Sequence, residues 1–223
     1  MDDIQITPIS HATMVLQFGG QVIYTDPIGG EESFAGQPAP TIILVTDIHQ
    51  DHMNADTLSA FVKDNPVIVA PQAVVDQLAS ELAQKIVVLK NGEATTQNGI
   101  EIEAIPMYNV PESSDSFHTK GRGNGYVINA EGKRVYISGD TSATPEMEAL
   151  QNIDIAFLTM NLPYTMDIQE ASDAVLAFKP KVVHPYHYRS QNGLSDVNKF
   201  KQIVEEKDPS IKVELLNFYP EEK

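Results

Sequence analysis

The stretch Thr41–Leu58 reads TIILVTDIHQDHMNADTL. Its first six residues are threonine, isoleucine, leucine and valine with no polar alternation, the pattern of a strand covered on both faces. Helical spacing follows. From Asn54, placed as an N-cap, the apolar positions Leu58, Phe61 and Val62 share one face. Between strand and helix lies Asp47-Ile-His49-Gln-Asp51-His52, with two histidines and two aspartates in six residues of a chain that holds only six histidines. Imidazole nitrogens and carboxylate oxygens at a strand end suit zinc, iron or manganese, and a helix start can orient the neighbouring acidic group. A polar loop with aspartates acting as caps is the plain alternative, and the density of histidine argues against it.

Working outward, short strand-like segments surround this loop. IQITPI and TMVLQF lead through Gly19-Gly20 into QVIYTD, a meander with a glycine turn. PQAVVDQLASEL starts on Pro71 and repeats the helical pattern at Val74, Val75, Leu78 and Leu82. KIVVLK, GIEIEAIPM, GYVINA and KRVYISGD return to strand, with a hairpin turning at Glu131-Gly132. The second half alternates, TPEMEAL before IDIAFLTM, DIQEASDAVLAFK before KVVHPY, and SDVNKFKQIVEE before IKVELL. Pro111–Gly125 is the one long irregular segment, and such segments in compact domains are often functional. The chain reads as β-rich α/β, and two strand-then-helix halves permit two sheets packed face to face with helices outside. With 223 residues and no linker or internal repeat, it is expected to form a single domain over residues 1–223.

Composition narrows the chemistry. There is no cysteine, which excludes disulfides, thiolate–metal sites and a cysteine nucleophile. Lysine and arginine total 15 against 31 aspartates and glutamates, a formal charge of −16. A negative field of that size repels phosphate backbones, so nucleic acid is not an expected partner and a small-molecule substrate is. No run approaches a membrane span, and the N-terminal MDDIQITPIS lacks a signal-peptide layout. A native Met1 would make the protein cytoplasmic, whereas a removed export signal would make it an exported one.

All six histidines, His11, His49, His52, His118, His184 and His187, fall at expected strand ends or in loops. Asp140 in VYISGDTS follows a strand directly, and by itself would read as a cap for TPEMEAL. His184 and His187 in VVHPYHY leave another strand end, and spacing does not say which faces the pocket. Lys120 and Arg122 are candidates to meet an anionic substrate group. GRGNG at Gly121–Gly125 lacks the G-x-G-x-x-G spacing and precedes a strand, so it is not a nucleotide fingerprint.

The pattern resembles the metallo-β-lactamase superfamily, carried by IYTDP with Asp26, the loop TDIHQDH, SGDT with Asp140 and PYHY with the late histidine. The openings SHATMVLQFGGQVIYTDP and GRGNGYVI…GKRVYISGDT are similar to the branch of metal-dependent hydrolases that includes the L-ascorbate-6-phosphate lactonases. The resemblance implies a four-layer αβ/βα sandwich with two mixed sheets and outer helices. It implies one or two divalent ions, zinc first, with manganese or iron as alternatives. His49 would serve a first metal position. Asp51, His52 and His187 would serve a second, Asp140 would bridge, and Asp26 would buttress the loop. His11 would sit in the surrounding hydrogen-bond shell. Apart from the resemblance, Tyr164 in NLPYTMD is a candidate pocket residue, with core or surface packing as the alternative.

Two departures fall on the first position. Asp47 replaces the first histidine of the loop, and Asn109 stands in IPMYN where a mid-chain histidine is expected. Asp47 can still ligate as a carboxylate, which favours harder ions. His118, nine residues past Asn109, is the candidate replacement imidazole. The implied activity is hydrolysis of a small ester, lactone or amide, with Asp51 orienting the nucleophile and taking its proton. A phosphodiesterase or nuclease on the same fold, and a metal-binding protein with little catalysis, are the competing expectations.

Overall fold

The computed structural model describes residues 4–220. Fifteen strands occur in chain order among them. β1 (Gln5–Ser10), β2 (Thr13–Phe18), β3 (Gln21–Thr25), β4 (Ile42–Leu44), β5 (Val67–Ala70) and β6 (Ile86–Val88) make one sheet in sequential order. β7 (Ala94–Gln97), β8 (Ile100–Met107), β9 (Gly123–Ala130), β10 (Lys133–Ile137), β11 (Ile155–Thr159), β12 (Val182–Tyr186) and β15 (Lys212–Val213) make the second, in the order β15-β12-β11-β10-β9-β8-β7. β13 (Arg189–Ser190) and β14 (Gly193–Leu194) form a small separate hairpin between β12 and β15 in sequence. Each large sheet is mixed. β1 to β3 pair antiparallel and β3 to β6 parallel. β7 to β10 pair antiparallel, while β10, β11, β12 and β15 are parallel.

Helices α1 (Ala55–Phe61), α2 (Gln72–Val75) and α3 (Ser80–Ala83) accompany the first sheet, and α4 (Pro145–Glu148), α5 (Ile168–Phe178) and α6 (Val197–Lys207) the second. Strand alternation explains the layering. Met14, Leu16, Phe18, Ile42, Leu44 and Val69 join the large core shared with Ile102, Tyr126 and Ile128 of the facing sheet. Their neighbours Val15, Ile43, Ile68 and Ala70 join a separate core with Leu58, Phe61, Val74 and Leu82. The first sheet is therefore buried on both faces, as the unbroken apolar run at Ile42–Val45 requires. The result is an α/β sandwich of two mixed sheets flanked by helices.

Local expectations fare unevenly. Asn54 caps α1 by accepting from Thr57 N–H at 2.8 Å, and the β9–β10 hairpin turns on Glu131 and Gly132, both at positive φ. The single helix expected over PQAVVDQLASEL is instead two one-turn helices. Gln77 and Leu78 bond three residues back, which tightens the turn, and Ala79 then adopts an extended conformation. The irregular segment expected over Pro111–Gly125 ends at Arg122, because Gly123–Gly125 already belong to β9. A Cβ at Gly123 would lie 2.9 Å from the Thr46 carbonyl oxygen, and one at Gly125 would lie 2.8 Å from that of Ser138. These glycines mark close backbone approach inside a strand, not a loop. Among the described residues no helix is long and apolar enough to cross a membrane.

Candidate metal centre

The end of β4 opens into Asp47–Met53, a tight loop in which both His52 and Met53 N–H groups bond the His49 carbonyl. Asp26 anchors it from the end of β3. Its carboxylate accepts from Thr46 N–H at 2.7 Å, from the Thr46 hydroxyl at 2.7 Å and from His52 Nδ1 at 2.8 Å. Burial pushes the Asp26 carboxyl up, and the donors from His52 and Thr46 oppose it. Three donors on an acceptor-only carboxylate suit its ionised form. With Nδ1 donating to Asp26, His52 turns its Nε2 the other way, towards Asp140 Oδ2 at 3.4 Å. Such a carboxylate behind an imidazole fixes tautomer and ring orientation.

Asp140 lies beyond the end of β10, freed from helix capping because Thr144 caps α4 by accepting from Met147 N–H. Its Oδ1 sits 3.4 Å from His187 Nε2, and its Oδ2 sits 3.3 Å from His118 Nε2. His187 Nε2 is also 3.4 Å from Asp51 Oδ2, which His11 Nε2 approaches at 3.2 Å. Burial lowers the His11 pKa, so its imidazole is neutral and Nε2–H donates to Asp51. Nδ1 then accepts from the Tyr219 hydroxyl at 2.6 Å, and that hydroxyl in turn accepts from Arg189 N–H. His11, Asp26 and His187 all sit at positive φ, 52°, 45° and 48°. A left-handed backbone is uncommon for histidine and persists where the surroundings hold it.

The altered position is completed from the irregular segment. Asn109 N–H bonds the His118 carbonyl at 2.9 Å, and His118 N–H bonds Asn109 Oδ1 at 2.8 Å. This clamp closes the loop between them and brings His118 into the cluster, 3.8 Å from Asp47 Oδ2. His49 Nδ1 lies 2.8 Å from the same oxygen. Asparagine thus stands where an imidazole was expected and delivers one from nine residues on. Arg122, at the end of the loop, forks onto Asp47 through Nε at 3.1 Å and Nη2 at 3.0 Å.

Three sets of side chains hold ligand atoms within 4.8 Å of one another: Asp47, His49 and His118; His52, Asp140 and His187; and His11, Asp51 and His187. His52 Nε2, Asp140 Oδ1, both His118 nitrogens and both His187 nitrogens are buried without a hydrogen-bond partner. Buried polar atoms left unpartnered are costly, and unpartnered imidazole and carboxylate atoms converging from four chain segments fit a divalent cation. The residues present therefore fit the implied metal.

Electrostatics agree. Burial alone pushes the Asp140 carboxyl up, but His187 and His52 outweigh it and hold the group well below the usual carboxylate range. Burial likewise opposes ionisation of Asp51, and His11 and His187 overcome it. For His52 burial lowers the pKa, while Asp140 and Asp26 reverse the sign and raise it well above the ordinary value. A raised pKa means that metal-free protein carries the proton at neutral pH, so an incoming ion must displace it. Metal binding near pH 7 is accordingly expected to release about one proton, and affinity to rise with pH. Calorimetric titration in buffers of different ionisation heat counts those protons; none released would contradict the assignment.

A pocket of about 520 Å³ opens above the cluster, lined among others by His11, His49, Asp51, Asn161, Tyr164 and Arg189. Tyr164 meets Phe117 edge to face at 4.9 Å, making an aromatic wall. His184, expected as an alternative pocket histidine, lies outside this cluster. It donates Nδ1–H to the Glu214 carbonyl and lines a different cavity beside β15. The late histidine in the cluster is His187. Arg122 beside Asp47, Tyr219 behind His11 and Asn161 in the pocket were not singled out from sequence for these places. Nothing local marks them, since Arg122 and Asp47 are 75 residues apart, and His11 and Tyr219 are 208 apart.

Two mixed sheets in an αβ/βα arrangement, with histidines and aspartates gathered at strand ends, define the metallo-β-lactamase class of fold. The model of the Beta-lactamase superfamily domain matches residues 5–187, and the chain belongs to that family. It is 29% identical over 213 residues to a UPF0173 metal-dependent hydrolase of Thermococcus kodakarensis, covering 92% of this chain and 93% of that one. Among solved structures it is similar to a candidate metal-dependent hydrolase from Parabacteroides distasonis, at 36% identity and a TM-score of 0.83 over 95% of this chain and 92% of that one. A metallo hydrolase of the archaeon Ignicoccus hospitalis aligns with a TM-score of 0.80 at 25% identity, over 96% and 95% of the two chains.

Proposed function

We propose that this chain, a metal-dependent hydrolase, attacks a small ester, lactone or amide with a water activated at the Asp140 centre. The observation that carries the reading is the set of unpartnered, buried His52, His118, His187 and Asp140 atoms, of which His118 and Asp140 line an open pocket. Asp51, His52, Asp140 and His187 would hold one divalent ion, and Asp47, His49, His118 and Asp140 would hold a second. Zinc is the first expectation for these nitrogen and oxygen donors, with manganese and iron the alternatives. When bound, such an ion supplies a Lewis acid and lowers the pKa of water towards ~7.

The chain's own groups do the rest. Asp51, held by His11, is 43% exposed and lines the pocket, where it can orient water and accept its proton. Asn161 Oδ1 accepts from the Thr165 and Thr159 hydroxyls, which leaves its amide N–H₂ as the donor for the pocket. There it can meet negative charge developing on the substrate oxygen. The Phe117–Tyr164 wall suits an apolar substrate face, and the pocket volume suits a small molecule. The charge of −16 supports a small molecule over nucleic acid.

Elemental analysis, followed by a screen of lactone, ester, amide, β-lactam and phosphodiester substrates with each ion restored, tests the reading. Bound metal and hydrolysis of one carbonyl class support it; a metal-free protein whose stability ignores chelators overturns it. With a substrate found, Asn161→Ala is expected to lower kcat by about 10²-fold at unchanged metal content. Unchanged kcat would remove Asn161 from the reaction.

A further inference from the structure

The side chain that singles out the first metal position is Arg122. Both oxygens of Asp47 are taken by its guanidinium, Oδ1 by Nε and Oδ2 by Nη2. The same nitrogen Nη2 lies 3.5 Å from His49 Nε2, so the cation lies along the far edge of that ring. Asp47 is fully buried and Arg122 is 20% exposed at its side chain, so the pair is only partly screened by water. Arginine is the residue suited to such a fork, since it cannot shed its proton. The fold delivers it deliberately. Gly123 has no room for a side chain against Thr46 and Asp47, which lets the start of β9 pass beside the metal loop. Among the described residues no lysine or arginine is paired with Asp140, whose partners there are His52, His118 and His187.

We propose that Arg122 is a built-in counter-charge that makes the centre asymmetric, weakening the first position (Asp47, His49, His118) so that the second (Asp51, His52, His187, Asp140) is the one that fills. The inference rests on the metal-dependent reading above. A carboxylate in place of an imidazole adds one negative charge to the donor set, and the guanidinium cancels it. An ion entering the first position must also share Asp47 with a cation that already holds both its oxygens. The two residues therefore work as one neutral unit, and changing either alone should unbalance the site in opposite directions.

Zinc binding by full-length protein, followed by elemental analysis after dialysis and by chelator competition, tests this. The wild type should retain one ion per chain, with a second bound only in excess zinc. Arg122→Met should retain two, with the weaker affinity tightened by at least about tenfold. Arg122→Lys, which keeps the charge and loses the fork, should stay closer to the wild type and guards against a folding defect in the methionine variant. Asp47→His should lose the second ion altogether, because the guanidinium then faces imidazoles unopposed. Asp47→His/Arg122→Met should recover it. Two equally tight ions in the wild type, or an Arg122→Met protein that still retains one, would overturn the role of Arg122 while leaving the hydrolase reading intact. A wild type with no tight ion would instead overturn that reading.

Discussion

Asp140→Asn is expected to empty the centre and lower turnover by more than about 10²-fold, beyond the range commanded by groups that merely support ligands. Asp140 reaches both clusters of candidate ligands. One oxygen faces His187 and the other faces His118 and His52, all within 3.4 Å. Asparagine keeps the shape but removes the charge and turns one ligand oxygen into a donor. Three imidazoles would then converge on a neutral group, with Asp51 left as the sole carboxylate at the second position. Metal content by elemental analysis and a circular dichroism spectrum separate emptying from unfolding. A folded Asp140→Asn protein with wild-type metal would mean that Asp140 does not bridge the two positions.

The second large effect belongs to a residue with no place in the pocket. Asp26→Ala leaves the Thr46 N–H buried without its acceptor, and leaves the Thr46 hydroxyl and His52 Nδ1, 3.0 Å apart, with only each other. Stranding buried donors of this kind costs roughly 3–5 kcal/mol, which for a chain of this size lowers Tm by about 6–20 °C. Metal affinity should also fall by about 10- to 100-fold, because the neutral Thr46 hydroxyl alone then meets His52 Nδ1 in place of a carboxylate. Thermal unfolding with and without metal reads both effects. Loss of stability at unchanged affinity would reduce Asp26 to a structural role.

These two residues could be found in the same way. Asp26 and Asp140 each follow a recognisable apolar strand, and each carries its chemistry within a few residues of a pattern. The same holds for the loop Asp47–His52, whose strand before and capped helix after are local consequences of propensity. Even so, local reading erred where packing intervened. The helix expected over PQAVVDQLASEL breaks in two, and the glycines at Gly123 and Gly125 that look like loop are strand residues pressed against Thr46 and Ser138. A glycine's backbone freedom and its lack of a side chain look identical in a sequence, and only the neighbour that would clash distinguishes them.

By itself, the sequence determined the class of the fold and the kind of donor: a strand run without polar alternation, helices with caps, no cysteine, and a dense group of histidines and aspartates after one strand. Those are short-range properties, settled by propensity and by the periods of strand and helix. Only the tertiary structure decided which donors meet. It chose His187 over His184, because His184 on β12 turns to Glu214 while the left-handed backbone at His187 directs that ring to Asp140. It brought His118 in through the Asn109 clamp, and it set Arg122 against Asp47. Each of these contacts joins segments far apart in the chain, and their meeting depends on how two sheets pack and where a loop is pinned. The aspartate that began as an anomaly in TDIHQDH acquires its meaning from an arginine 75 residues away.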